Sequence, residues 1–297
     1  MNILSAKSIQ AEADCPPIGN IIQVGRAQVH YYEKGTGPAV LLIHGASGNI
    51  RDFNFGLIDK IAKTHRVIAI DRPGHGYSSR LNLYGESPRQ QAQIFVETAN
   101  ALGVETAIVA GYSLGGIVAL AAALDFPKFT SALLLMSGVS HPPKGKAGWL
   151  YTLAGSHLTG PLLAQYIAAK MPIKLIEEKI ASVFQPQSPP EGYLKDIGAG
   201  LALRAHTIRA NARQVVTLLP HIHMMQERYA DLRLPIEILH GDLDKSVPAA
   251  EHADRLAATL PHAKYTRLSG VGHAPHHVAQ EQILQALVRL QKQVDAL

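Results

Sequence analysis

The 297-residue sequence predicts an α/β fold in which a doubly wound, mostly parallel sheet carries an inserted helical segment. Continuous apolar strands alternate with helices in the first and last parts of the chain, which is typical of a parallel sheet covered by helices on both faces. This alternation stops at residues 139–230, which read as helices separated by Pro- and Gly-containing breaks. We therefore expect a core formed by residues 1–138 and 231–297, and a helical cap formed by residues 139–230.

The elements follow from hydrophobic periodicity and from the positions of turn residues. An antiparallel hairpin is expected at residues 20–34, around Gly25 and Arg26. Buried strands are expected at 39–43, 66–71, 106–110, 132–136, 235–239 and 264–268. Helices are expected at 52–63, 88–102, 117–124 and 249–259, with a last helix from Pro275 to the C-terminus. With 47% hydrophobic residues, the chain can form one large core.

Composition and charge exclude several classes of protein. The net charge of +5 is spread without a basic run, so no nucleic-acid partner is expected. Cys15 is the only cysteine, which excludes a disulfide framework and a thiolate metal site. The first seven residues lack the apolar core of a signal peptide, so we expect a cytoplasmic protein.

Residues 147–169 form a segment of 23 residues without Asp, Glu, Lys or Arg. Its length would permit a membrane span. Gly160 and Pro161 divide it, however, and several polar residues interrupt it. We therefore expect two short amphipathic helices here and no stable membrane span.

The most informative motif is G-Y-S-L-G-G at residues 111–116, because a buried strand precedes it and an Ala-rich helix follows it. A serine between glycines at a strand-to-helix turn is a nucleophile elbow. The turn is tight, so Gly111 and Gly115 stand where side chains would not fit, and the Ser113 hydroxyl projects above the sheet. The motif predicts that Ser113 is a nucleophile.

A serine nucleophile needs a base to take its proton and a further group to orient that base. In doubly wound sheets, reactive groups gather at the carboxyl ends of strands. Asp242 and Asp244 follow the strand at 235–239, and His273 follows the strand at 264–268. The order of serine, aspartate and histidine is the one expected of α/β-hydrolases.

On these residues the chain resembles the α/β-hydrolase fold superfamily, of the cap-bearing serine esterase and haloperoxidase-like kind. The resemblance covers residues 28–138 and 230–295, while the cap matches in position only. It implies that the acid is Asp244, because the acid of such proteins commonly lies four residues before the proline of a D-x-x-V-P segment. Asp242, two residues away, is the alternative. His273 stands in a G-x-G-H-x-P-H context that resembles the histidine loop of the family.

The resemblance also implies an oxyanion hole made by the backbone N–H groups of Ala46 and Leu114. His44 is then structural, and the turn that begins at Asp71 is scaffold. Apolar pockets are usual in such folds, and we expect some cap side chains to line one above the serine: Trp149, Leu153 and Tyr166. No cofactor is required. No metal is expected either, because the closely spaced His221 and His223 have no third ligand nearby.

The function expected is hydrolysis of carboxylic esters of small to medium apolar substrates through an acyl-enzyme. The sequence does not indicate the oligomeric state. A serine at position 113 argues against dehalogenase and typical epoxide-hydrolase chemistry, which need a carboxylate there. A carbon–carbon bond hydrolase or a haloperoxidase-like perhydrolase is the enzymatic alternative. Tyr112 weakens the former, because such enzymes often carry asparagine at this position. A non-catalytic ligand-binding protein on the same fold is the alternative from another class.

Overall fold

The computed structural model of the protein describes residues 6–145 and 148–297, and it describes Ile173 without its side chain. Two sequence predictions fall partly outside these ranges. They concern the N-terminal segment inspected for a signal peptide and the first residue, Ala147, of the uncharged segment.

Eight strands form one sheet in the order β1-β2-β4-β3-β5-β6-β7-β8. The first two strands pair antiparallel, as does β2 with β4, and all other neighbours are parallel. The strands are β1 (Asn20–Val24), β2 (Ala27–Lys34), β3 (Ala39–Ile43), β4 (Arg66–Ile70), β5 (Ala107–Tyr112), β6 (Thr130–Met136), β7 (Ile236–Gly241) and β8 (Lys264–Leu268). This sheet confirms the predicted α/β fold and the expected hairpin.

The described helices divide into those of the core and those between β6 and β7. In the core they are α1 (Ala6–Asp14), α2 (Leu57–Ile61), α3 (Pro88–Ala101), α4 (Leu114–Asp125), α12 (Ala253–Thr259), α13 (Pro275–Val278) and α14 (Gln280–Val294), with a 3-10 turn at Ile50–Phe53. Between β6 and β7 they are α5 (Trp149–Gly155), α6 (Gly160–Lys170), α7 (Ile173–Phe184), α8 (Tyr193–Asp196), α9 (Ala199–Ala202), α10 (Ala205–Val216) and α11 (Leu218–Gln226), with a 3-10 turn at Tyr229–Asp231.

The central strands β3 to β7 are buried on both faces of the sheet, as their unbroken apolar sequences require. Because successive side chains of a strand point to opposite faces, Leu41 packs into one core and Leu42 into the other. Apolar residues of α3 and α4, such as Phe95 and Ile117, close the first core. The second is closed by α2 and α14, for example by Leu287.

Three predicted helices differ in extent. The helix expected at 52–63 is broken by Gly56, whose positive φ of 86° leaves only a short 3-10 turn before it and α2 after it. The helix expected from 249 begins at 253, because His252 adopts a non-helical φ of −123°. The last helix is interrupted at Ala279, which is also non-helical and separates α13 from α14.

In the segment between β6 and β7, all the secondary-structure elements that the structure describes are helices. The central one is α10. Both α5 and α6 pack on α10, and they correspond to the two short helices predicted from the uncharged segment. Within residues 6–145 and 148–297, no helix combines the length and the hydrophobicity needed to cross a bilayer.

Candidate active site

Ser113 occupies a strained backbone conformation between β5 and α4. Its φ of 53° and ψ of −121° are unusual for a residue with a side chain. Backbone hydrogen bonds hold it there: the Ser113 N–H donates to Met136 O, and Ser113 O accepts from the N–H groups of Gly116 and Val139. A Cβ on Gly115 would lie 2.2 Å from Ile43 O, so only glycine fits beside the serine. The elbow therefore has the geometry that the motif predicts.

Three side chains from three strand ends form one hydrogen-bonded chain. The Ser113 Oγ lies 2.9 Å from His273 Nε2, and His273 Nδ1 lies 2.7 Å from Asp244 Oδ2. Because a carboxylate only accepts, Nδ1 carries the ring proton and Nε2 is free to accept from the serine hydroxyl. All three residues are buried, with Ser113 8% exposed. The structure brings together Ser113, His273 and Asp244, whereas Asp242 takes no part in this chain of hydrogen bonds.

Asp244 is fixed by donors on both carboxylate oxygens. Oδ1 accepts the backbone N–H groups of Ser246, at 2.9 Å, and Val247, at 2.8 Å. Oδ2 faces His273 and also lies 3.2 Å from Nε2 of the fully buried His240. Burial alone would raise the pKa of Asp244, but the hydrogen bonds from His240 and His273 and the charge of His273 outweigh it and lower that pKa. Asp242, by contrast, is exposed and accepts the Gly270 N–H.

The loop that begins at His44 lies against the serine. A Cβ on Gly45 would come within 2.9 Å of Ser113 Cβ, which places the backbone of this loop beside the hydroxyl. Leu114 is the first residue of α4, where helix N–H groups have no intrahelical partner. The two backbone positions predicted for an oxyanion hole, Ala46 and Leu114, thus flank Ser113 in the fold.

His44 is structural, as the sequence analysis expected. Its Nε2 accepts the Arg72 N–H at 2.9 Å, and its Nδ1 lies 2.9 Å from Gly45 O. Burial lowers the pKa of His44 to about 4, so the ring is neutral at pH 7. The buried Arg72 donates to the same carbonyl from Nη1 and to Gln91 from Nε. Together these contacts fix the loop from behind.

Two side chains of the segment between β6 and β7 hold the reactive loops from the other side. Asn211 on α10 accepts the Ser47 N–H at 2.9 Å, next to Ala46. Gln187 accepts the Gly272 N–H at 3.1 Å and donates to Gly270 O at 2.6 Å, in the loop that carries His273. Nothing in the sequence motifs marks Asn211 or Gln187, because each acts only through contacts far along the chain.

An aromatic and acidic cluster supports the histidine loop. The Tyr112 ring lies 5.2 Å from that of His273 and 3.9 Å from that of His276, measured between centroids. His276 Nε2 in turn lies 3.2 Å from Oδ1 of the buried Asp52. His276 is the last residue of the G-x-G-H-x-P-H context quoted for His273, and this closeness in sequence could have marked it as a neighbour of the site.

Asp52, His276 and His277 also present ligand atoms within 4.8 Å of one another, a spacing at which a metal ion could be held. The same carboxylate oxygen accepts the Tyr193 hydroxyl at 2.6 Å and lies 3.0 Å from His277 Nε2. Burial lowers the pKa of His276 to about 4, so its ring is neutral at pH 7. The cluster is thus a buried carboxylate that accepts the Tyr193 hydroxyl and lies beside two histidine rings.

The three residues predicted to line the substrate pocket lie on the surface of α5 and α6. Trp149 is 73% exposed and Tyr166 is 66% exposed, and Leu153 is also exposed. Apart from Ile167, the buried residues of these helices are small, such as Ala154 and Ala164. The three side chains are therefore exposed to solvent, and their place in a substrate pocket stays a prediction.

The sequence profile of the alpha/beta hydrolase fold matches residues 38–280. The match spans most of the sheet, the elbow and the histidine loop described above. The protein belongs to the alpha/beta hydrolase fold family.

Similar proteins include several named as hydrolases. An uncharacterised protein of Mycobacterium tuberculosis is 29% identical over 269 residues, which cover 84% of this chain and 75% of the relative. The 2-(acetamidomethylene)succinate hydrolase of Mesorhizobium japonicum is 27% identical over 282 residues, covering 91% and 94% of the two chains. A thermophilic esterase from Thermogutta terrifontis superposes with a TM-score of 0.75 at 19% identity, covering 93% and 99%. The family and these names support a hydrolase.

Proposed function

We propose that the protein is a serine hydrolase that cleaves carboxylic esters of small to medium apolar substrates through an acyl-enzyme. The observation that carries the proposal is the hydrogen-bonded chain from Ser113 Oγ through His273 to Asp244, at 2.9 and 2.7 Å. The name of the esterase whose fold is shared, and that of the hydrolase relative, favour the same class of reaction.

In the first half of the reaction, the Ser113 oxygen attacks the ester carbonyl carbon while its proton passes to His273 Nε2. The lowered pKa of Asp244 keeps this carboxylate ionised, so that it stabilises the imidazolium that forms. The carbonyl oxygen becomes an oxyanion and accepts the N–H groups of Ala46 and Leu114. Cleavage of the C–O bond then returns the proton from His273 to the departing alcohol and leaves an acyl-serine.

In the second half, His273 takes a proton from a water molecule, and the resulting hydroxide attacks the acyl carbon. The second tetrahedral intermediate breaks the bond to Ser113, whose oxygen recovers the proton. The free acid leaves, and no cofactor is needed. The cap contributes by positioning, because Asn211 and Gln187 hold the loops that bear the oxyanion donor Ala46 and the base.

The proposal is tested by steady-state hydrolysis of a series of p-nitrophenyl esters, compared with hydrolysis of a diketone. We expect ester turnover that disappears in Ser113→Ala and reaction with a fluorophosphonate at the same serine. Diketone cleavage without ester turnover would contradict ester hydrolysis and favour carbon–carbon bond hydrolysis. A folded protein that turns over neither compound and resists the fluorophosphonate would contradict the serine-hydrolase class.

A further inference from the structure

The helices α5 and α6 expose most of their large apolar side chains, and apart from Ile167 the residues that they bury are glycines and alanines. Leu158, in the turn between them, is 88% exposed, and Leu162 is 73% exposed. We call the surface formed by these two leucines with Trp149, Leu153 and Tyr166 the outer apolar face. A surface helix of a globular protein normally turns its apolar stripe to the core. Contiguous exposed apolar surface of this kind marks an interaction site.

The orientation of the two helices is fixed by close packing on the inner side. A Cβ on Gly155 would lie 2.9 Å from Cγ2 of Val216 on α10, and one on Gly160 would lie 2.4 Å from Ala154 O. Ala164 and other small residues are buried in the same interface. Larger side chains do not fit there, so the helices cannot rotate to bury the outer apolar face.

The surroundings of the outer apolar face are positively charged. Residues 139–176 contain four lysines and neither Asp nor Glu, and Lys179 offsets one of the two glutamates that follow on α7, Glu177 and Glu178. Of these lysines, Lys144, Lys170 and Lys174 are exposed in the described structure. Two arginines of α10 add charge beneath the helices: Arg209 lies under Gly160, Arg213 contacts His157, and the Nε atoms of both are buried without a hydrogen-bond partner.

We propose that the outer apolar face docks on the surface of an anionic lipid bilayer. Short helices with Trp and Leu on one side and lysines nearby lie in the plane of the membrane interface, with the apolar side chains among the acyl chains. Each lysine close to an anionic surface raises the affinity of the protein for that surface about fivefold. A bilayer therefore satisfies both the apolar and the cationic character of this surface. The proposal concerns binding and does not depend on the ester chemistry proposed above.

Docking in this orientation brings the lipid surface close to the candidate active site. The helices α5 and α6 rest on α10, and α10 carries the Asn211 that holds the loop of Ala46. Only one helix layer thus separates the docked face from the oxyanion loop.

The chain provides its own reporter, because Trp149 is its only tryptophan and lies on the docking face. Intrinsic fluorescence should be measured with vesicles of phosphatidylcholine alone and of phosphatidylcholine mixed with phosphatidylglycerol, together with co-sedimentation. We expect a blue shift and sedimentation with the mixed vesicles, weakened by salt. Pure phosphatidylcholine should bind far more weakly.

Two variants test the two components of the surface separately. Leu158→Ser combined with Leu162→Ser should weaken binding to the mixed vesicles by about tenfold or more. Lys170→Gln combined with Lys174→Gln should weaken it by about 25-fold, from two lysines. Val288→Ser is the matched control, because Val288 is a 49% exposed apolar residue on α14, and this variant should bind normally.

Circular dichroism and thermal unfolding should show that the leucine variant is folded. Vesicle binding should also survive in Ser113→Ala, so that failure of the proposed reaction and failure of the docking are distinguishable. Absence of binding to either vesicle would overturn the proposal. Equal binding to the two kinds of vesicle would also overturn it. So would Trp149 emission that is blue-shifted in buffer and moves to the red when a dimer dissociates on dilution, because a second copy of the chain would then cover the outer apolar face.

Discussion

Replacement of Asp244 by asparagine is expected to disable His273 while leaving the fold intact. The asparagine has nearly the same shape, and its carbonyl oxygen can still accept the backbone N–H groups of Ser246 and Val247, as Asp244 Oδ1 does at 2.9 and 2.8 Å. These two donors fix the orientation of the amide, because its NH2 group cannot face them. The NH2 group must therefore face His273 Nδ1.

A donor in this position reverses the tautomer of the imidazole. His273 Nδ1 would have to accept, and Nε2 would then carry the proton and could no longer accept the hydrogen of Ser113. Loss of the correct tautomer in a serine–histidine–aspartate site costs about 10⁴-fold in kcat, or about 5.5 kcal/mol of transition-state stabilisation. We expect a loss of this order for Asp244→Asn in p-nitrophenyl ester hydrolysis.

Asp242→Asn is the matched control, since Asp242 is exposed and accepts only the Gly270 N–H among the contacts seen in the described structure. We expect it to retain kcat within about tenfold, because an asparagine oxygen can still accept the Gly270 N–H and residue 242 makes no contact with His273. Circular dichroism and thermal unfolding should show both variants folded. Equal losses in the two variants, or a larger loss in Asp242→Asn, would refute the assignment of Asp244 as the acid.

Three further predictions follow from the same geometry. Ser113→Ala should lower kcat by roughly 10³-fold or more without unfolding the protein, whereas near-normal turnover would contradict its role as nucleophile. Asn211→Ala should lower kcat about five- to tenfold, since it removes one hydrogen bond to the oxyanion loop. Asn211→Asp keeps the acceptor and should retain most activity, so equal losses in the two variants would contradict a role through this hydrogen bond. The free energy of unfolding should fall as pH decreases from about 6.5 to about 4. Burial lowers the pKa of several histidines to about 4, so the unfolded chain binds more protons than the folded protein in this window. Urea unfolding at several pH values measures this, and a midpoint that does not change with pH would contradict it. These histidines are His44, His141, His206, His252 and His276.

The sequence predicts the parts of the fold that depend on local pattern. Apolar runs fully buried on both faces, such as 39–43, locate the central strands of the sheet. The glycines beside Ser113 are equally local, because the tight elbow excludes side chains at those positions. The rule that reactive groups gather at the ends of strands points to Asp242, Asp244 and His273. The family resemblance selects Asp244 from the two aspartates, and the structure joins Asp244 through His273 to Ser113.

The parts that the sequence does not predict depend on contacts between distant segments. Asn211 lies 164 positions from Ser47, and no motif around either residue indicates their hydrogen bond. The pocket prediction for Trp149 and Tyr166 rested on apolar character alone. Periodicity shows that a helix has an apolar side but not which side faces the core. In α5 and α6 the closely packed side consists of alanines, glycines and Ile167, and Trp149 and Tyr166 are exposed.

The most direct test of the account is to trap the acyl-enzyme and identify the modified residue. The protein is mixed with p-nitrophenyl acetate, quenched in acid within one turnover, digested and examined by mass spectrometry. The account predicts one acetyl group on the peptide that contains Ser113 and none in the Ser113→Ala protein. Acetylation of another residue with the same kinetics, or ester turnover without any acyl-serine, would contradict the proposed mechanism.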